Sequence, residues 1–179
     1  MCKLPSTIVS KEVCSRGKMK KRLYRLHTWM LVVGMLLLAT TLSAQSPAEL
    51  NAFRAAVEEI FEKRDVACLE SNLTGYVSIW DENAIRLSSD NPAVLGLSAI
   101  RDNQRKAFQN WFFQEVDTNI EEAHLSGDFG WTHGTYWVQL RSKAGGNWFI
   151  NKGTILTVFR KQDDGSWRIY CDVMISTQE

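Results

Sequence analysis

Four cysteines, three histidines and three prolines are spread over 179 residues, and each scarcity removes a kind of chemistry. No Cys-x-x-Cys occurs and no Cys lies near a His, so neither metal ligation nor any other cofactor is expected. His-x-x-x-His, a Gly-rich phosphate loop and a Ser/His/Asp order are also missing, and with them the usual marks of zinc hydrolases, nucleotide binders and serine hydrolases. The longest apolar run, Trp29 to Leu42, is about 14 residues, short of the roughly 20 a membrane helix needs, so no stable membrane anchor is expected. Basic residues are scarce after Gln45, where 13 Lys/Arg face 19 Asp/Glu for a net charge of −6. That segment has no basic cluster to hold phosphates, which argues against a nucleic-acid partner.

The missing basic charge is at the N-terminus. Lys18, Lys20, Lys21, Arg22 and Arg25 precede the apolar run, and the small-residue stretch Ala39 to Ala44 follows it. This is the layout of a secretory signal peptide, so residues 1–44 are expected to be removed near Ala44, leaving an exported, periplasmic or secreted protein. Met1 and Met19 both stand as starts; Met19 opens the tidier signal, which would leave residues 1–18 upstream of it. Cys68 and Cys171 remain after the cut. An exported protein can join such a pair, but sequence does not place their Cα atoms, and two buried small residues is the simpler reading.

Residues 45–179 read as one domain. Ser46-Pro47-Ala48-Glu49 is a helix start, followed by Leu50, Phe53, Val57, Ile60 and Phe61 at helical spacing. Asp65 is expected to cap a second helix carrying Leu69, Leu73, Tyr76, Val77 and Trp80. A short strand at 84–87, a turn at Asp90-Asn91-Pro92 and a third helix from Ala99 to about Phe113, capped by Ser98, follow. From Val116 the pattern turns to strands, with turns at Gly127-Asp128, Gly145-Gly146 and Asp163-Asp164-Gly165. Helices first and then a run of strands is the α+β signature. Asn72-Leu73-Thr74 also has the pattern of a glycosylation acceptor.

Four stretches in order resemble the SnoaL-like, ketosteroid-isomerase-like family of the nuclear transport factor 2-like superfamily. They are Ile79 to Ala84, Val94 to Ile100, Ser126 to Gly130 with Gly134-Thr135-Tyr136, and Gly153 to Ile169 with Asp172. The resemblance implies a cone-shaped, curved antiparallel sheet wrapped around three N-terminal helices, dimeric, with a pocket at its wide end. It also implies where steroid isomerases keep their catalytic groups. Their base falls at Ser88 here, their first-helix Tyr near Val57, and their strand acid within Thr154 to Phe159, where there is none. Steroid isomerisation is therefore not expected.

Asp172 is the first candidate for chemistry. A carboxylate in mid-strand between Tyr170 and Met174, if it lines a pocket, has its pKa raised by desolvation and becomes a general base. Pairing with Arg160 or Arg168 is the purely structural alternative. Tyr76, Trp80, Trp111, Phe112, Tyr136 and Met174 are the expected pocket wall, equally readable as plain core. Asp81 and Glu82 read as a solvated helix end, and His124 as a solvated residue beside a turn. Trp131, His133 and Trp137 alternate onto the outer face of their strand, expected to be a homodimer interface. The reading that results is an exported binder of a small apolar molecule, with proton transfer or hydrolysis by Asp172 as its chemistry. The alternative is a non-catalytic dimerisation or binding module working through the Trp-rich face.

Overall fold

The computed structural model describes residues 46–89 and 91–177; the signal-peptide reading of residues 1–44 lies outside them. The elements in order are α1 (Pro47–Leu69), α2 (Leu73–Ser78), β1 (Trp80–Ser88), β2 (Asn91–Leu95), α3 (Leu97–Asn110), β3 (Trp111–Ser126), β4 (Phe129–Ser142), β5 (Phe149–Lys161) and β6 (Trp167–Ser176).

Helix α1 begins with the expected capping box: Ser46 Oγ accepts from Glu49 N at 3.2 Å, and Ser46 N donates to Glu49 at 3.1 Å. It then runs through Asp65 without a break, contrary to the expected second start there. Asp65 accepts from Arg64 instead of capping a helix. The chain turns at Ser71, whose φ is 53°, and Asn72 caps the short α2 by accepting from Gly75 N at 2.9 Å. Trp80 already belongs to β1, and Asn91-Pro92, expected as a turn, lies on the edge strand β2. Helix α3 is capped at Gly96, not Ser98, and ends at Asn110.

Six strands form one open, curved sheet in the order β2-β1-β6-β5-β4-β3. It is mixed, not purely antiparallel: β1 and β6 run parallel, the other neighbours antiparallel. Register shifts at Phe113/Glu115 and Ile120/Glu122 in the long β3–β4 pair add local bend and twist. Nor do all the helices precede the sheet, since β1 and β2 separate α3 from the first two.

The core lies between the helices and the concave face. Phe53 meets Phe159 edge-on at 5.8 Å and Trp167 at 4.8 Å. Such close approach requires glycine opposite: a Cβ on Gly130 would lie 2.4 Å from the Phe53 ring. Along β4 the expected alternation holds, with Gly130, Thr132, Gly134 and Tyr136 buried and Trp131 and Thr135 exposed.

Candidate functional site

Strand register builds one polar row across the concave face. Arg86 on β1 sits beside Asp172 on β6, Asp172 opposite Thr157 on β5, and Thr157 opposite Thr132 on β4. Asp172, Thr157 and Thr132 are all buried. Asp172 Oδ1 accepts from Thr157 Oγ1 at 2.8 Å. Its Oδ2 has no protein donor among the described residues, and it is not sealed off, because Asp172 lines a cavity of about 190 Å³.

That cavity lies between the sheet and helices α1 to α3. Trp111, Phe113, Val138, Leu140 and Met174 supply much of its apolar wall. Arg64, Arg86, Tyr76, Gln104, Tyr136 and Asp172 are among its polar lining groups. Arg86 donates to Gln104 at 3.3 Å and reaches Met174 Sδ at 4.0 Å, and forms no ion pair among the described residues. The Tyr76 hydroxyl likewise has no hydrogen-bond partner there, although its ring is buried. Tyr136 is partnered: its hydroxyl donates to Asn151 Oδ1 at 3.1 Å and lies 3.1 Å from Ser176 Oγ.

Mutual electrostatics tie these groups together. Tyr76, once ionised at high pH, and Asp172 together outweigh the opposing effect of burial and hold the Arg86 guanidinium above its ordinary range; near pH 7, with the phenol neutral, Asp172 is the anion that supports it. Burial works hardest against the Arg64 charge, but Asp65 at 3.0 Å and then Asp172 outweigh it. Burial raises the Tyr76 phenol to about 12 and the Cys68 thiol to about 11, with the two arginines pulling the other way. Both groups are therefore neutral near pH 7.

Of the sequence candidates, Tyr76, Trp111, Tyr136, Asp172 and Met174 line the cavity, whereas Trp80 and Phe112 do not. The reason for Phe112 is periodicity. The triplet Trp111-Phe112-Phe113 was expected at the end of a helix, but it opens β3, so its residues alternate. Trp111 and Phe113 point inward and Phe112 outward, at 44% exposure. Trp80 is core, packed beside Tyr76 with ring centroids 5.9 Å apart.

Asp81 overturns its expectation as a solvated residue. It is fully buried, accepts from Arg160 at 2.8 Å, from Gln162 at 3.0 Å and from Asn83 N at 2.9 Å. It thereby occupies Arg160, the partner considered for Asp172. Cys68 and Cys171 are free thiols; Cys68 faces the cavity from α1, while Cys171 lies on β6 opposite Val158. His124 stacks on Trp131 at 4.1 Å and lies 3.7 Å from Glu122, while His133 is 3.6 Å from Glu121. Neither histidine lines the cavity.

Arg64 and Arg86 are the site residues that sequence reading missed. A signal for Arg64 was present: it falls in the buried register of α1, Phe53, Val57, Ile60, Phe61, Arg64, Ala67 and Cys68. Arg86 had a weaker one, its i+2 position from the buried Ala84.

No family model and no curated protein sequence matches the chain. Solved structures do. A conserved protein from Planctomyces limnophilus superimposes with a TM-score of 0.66 at 15% identity, over 71% of this chain and 98% of that one. A ketosteroid isomerase-like protein from Erwinia carotovora atroseptica gives 0.64 at 17% identity, over 74% and 99%. A nuclear transport factor 2-like superfamily protein from Salmonella enterica gives 0.59 at 13%, over 71% and 94%. The domain therefore has the nuclear transport factor 2-like fold. Within that fold, its structural neighbours include ketosteroid isomerase-like proteins.

Proposed function

We propose that the cavity binds a small, mostly apolar carbonyl compound and that Asp172 transfers a proton on it. The observation that carries this reading is an unpartnered acceptor, Asp172 Oδ2, sharing one apolar cavity with two under-used donors, the Tyr76 hydroxyl and Arg86. In the proposed step, Asp172 Oδ2 takes a proton from the carbon next to the carbonyl. The C–H electron pair forms the enolate, and its oxygen meets Tyr76 and Arg86. The proton returns from Asp172 to the same carbon or to a conjugated one, so the overall reaction is an isomerisation with no co-reactant. A cavity of about 190 Å³ is close in size to the roughly 150 Å³ cavity that takes benzene, which favours a single ring over a steroid.

The test is exchange of the ring α-protons of a cyclic ketone into D2O, followed by NMR. Wild type should exchange faster than buffer, and Asp172→Asn should lose about 10²- to 10⁴-fold. Equal rates in the two proteins would refute the role of Asp172. Binding is judged separately from chemical-shift changes.

A second reading concerns the convex sheet face, where Trp131 is 37%, Leu156 39% and Ile175 58% exposed. With the nearby His133 and Trp137, this face fits a second copy of the chain better than open water. Sedimentation should show a dimer that Trp131→Glu and Leu156→Glu together dissociate; a wild-type monomer overturns it. If the dimer forms and no ligand binds, the domain is an assembly module. Export with cleavage near Ala44 is part of the proposal, and N-terminal sequencing of the secreted protein tests it.

A further inference from the structure

A second chamber opens beside the first. It measures about 270 Å³ and shares Arg86, Asn103, Ala107 and Trp111 with the inner cavity as a common wall. Its own lining is more polar: beside the shared wall stand Ser88, Asn91, Asn110 and Lys106, with Val94 as the one further aliphatic group. Among the described residues no carboxylate lines it, whereas it presents two cations, Arg86 and Lys106. Lys106 is exposed on α3 and forms no ion pair among the described residues. Asp172 lines the inner chamber only.

Resting on the ligand-binding reading above, we propose that the ligand is a two-part molecule, with a single-ring apolar head in the inner chamber and a short carboxylate arm held between Arg86 and Lys106 in the outer one. The two chambers ask for opposite chemistry across one shared arginine. The mainly apolar surface of the first favours an uncharged head, while two cations and three amide side chains in the second favour a charged arm. Arg86 is suited to the boundary. Its planar fork has donors for two acceptors at once, so one end meets the head's carbonyl oxygen and another the arm's carboxylate. Trp111 forms part of the wall between the chambers and limits how large the head can be.

The experiment compares three probes by calorimetric titration at low salt: cyclohexanone, (2-oxocyclohexyl)acetate and a neutral bicyclic decalone. The carboxylate-bearing ring should bind about tenfold or more tighter than cyclohexanone, and the advantage should shrink with added salt. Lys106→Gln should collapse that ratio. Lys161→Gln, which removes an exposed lysine at the opposite end of β5 from Asn151, should keep it. Decalone should bind more weakly than cyclohexanone, and Trp111→Ala should reverse that order. If cyclohexanone binds and the arm adds nothing, or the gain survives Lys106→Gln, the two-part ligand is wrong while the binding function stands. If no ring compound binds in any form, the proposed function fails, and this inference fails with it.

Discussion

Alkaline titration of Cys68 gives the sharpest quantitative check on the interior. The thiol ordinarily ionises at 9.0, and burial in the folded protein, partly offset by Arg64 and Arg86, moves it to about 11. Below pH 9 the thiol is protonated in both folded and unfolded chains, so it costs nothing. Between pH 9 and 11 the unfolded chain releases the proton and the folded chain keeps it. The unfolded state then binds fewer protons, so stability falls as pH rises. Two units at about 1.4 kcal/mol each give a full loss of about 2–3 kcal/mol, of which about 2 kcal/mol is gone by about pH 10.5. The assay is urea unfolding of wild type and Cys68→Ala at several pH values from about 8 to 10.5. Alanine shifts stability by a roughly constant packing cost of about 1 kcal/mol, so the informative quantity is the slope and not the offset. Wild type should lose about 2 kcal/mol more than Cys68→Ala over that range. Cys171, whose thiol burial also raises, contributes equally to both proteins and cancels. Parallel curves would mean that Cys68 is wet in solution, and the dry wall of the cavity would be refuted with it.

Asp81→Ala should lower stability by about 2–4 kcal/mol in the same unfolding assay, because it strands Arg160 and Gln162. The lower end is expected, since the Arg160 side chain is 32% exposed and can rehydrate. Gly130→Ala should cost about 1–3 kcal/mol through collision with Phe53, and Phe53→Leu should rescue part of it in a double-mutant cycle. Phe112→Ser should cost about 0.5–1.5 kcal/mol, because Arg141 and Lys143 lie over its exposed ring, and should leave ketone binding intact. Phe113→Ala should cost about 1–3 kcal/mol and weaken binding, because Phe113 lines the cavity and packs edge-on to Phe108 at 5.6 Å.

Local periodicity made much of this fold readable. The capping box at Ser46, the alternation along β4 and the glycine turns are decided by neighbours in sequence, and they stand in the structure as read. Apart from the helix caps misassigned at Asp65 and Ser98, the failures that bear on the site came where a long-range partner decides the outcome. Trp111 to Phe113 has aromatic character that suits helix or strand, and only pairing with Leu140 to Ser142 makes it a strand. Asp81 looked solvated because its partner Arg160 is 79 residues away. Asp172 stood out because a carboxylate in mid-strand is unusual, yet nothing local showed that Arg86 would lie beside it. Sequence thus supplied the acceptor of the candidate site and left its cationic donors to the structure.

The parallel seam between β1 and β6 also has a consequence for how the molecule is made. Arg86 meets Met174 across 88 residues of chain, so the polar row exists only after the last strand has docked. A growing chain that has emerged as far as β5 carries Arg86, Thr157 and the cavity's aromatic walls without the carboxylate that organises them. β6 folds back on β5 through the short turn at Asp163-Asp164-Gly165, as local a step as the β3–β4 and β4–β5 hairpins, so the slow event expected from loop closure is the pairing of β1 with β6. Until it occurs, the apolar inner surface is open to solvent and to other chains. The C-terminal strand is therefore a timing element as well as a wall: removing it would leave a sticky half-sheet rather than a smaller version of the same protein.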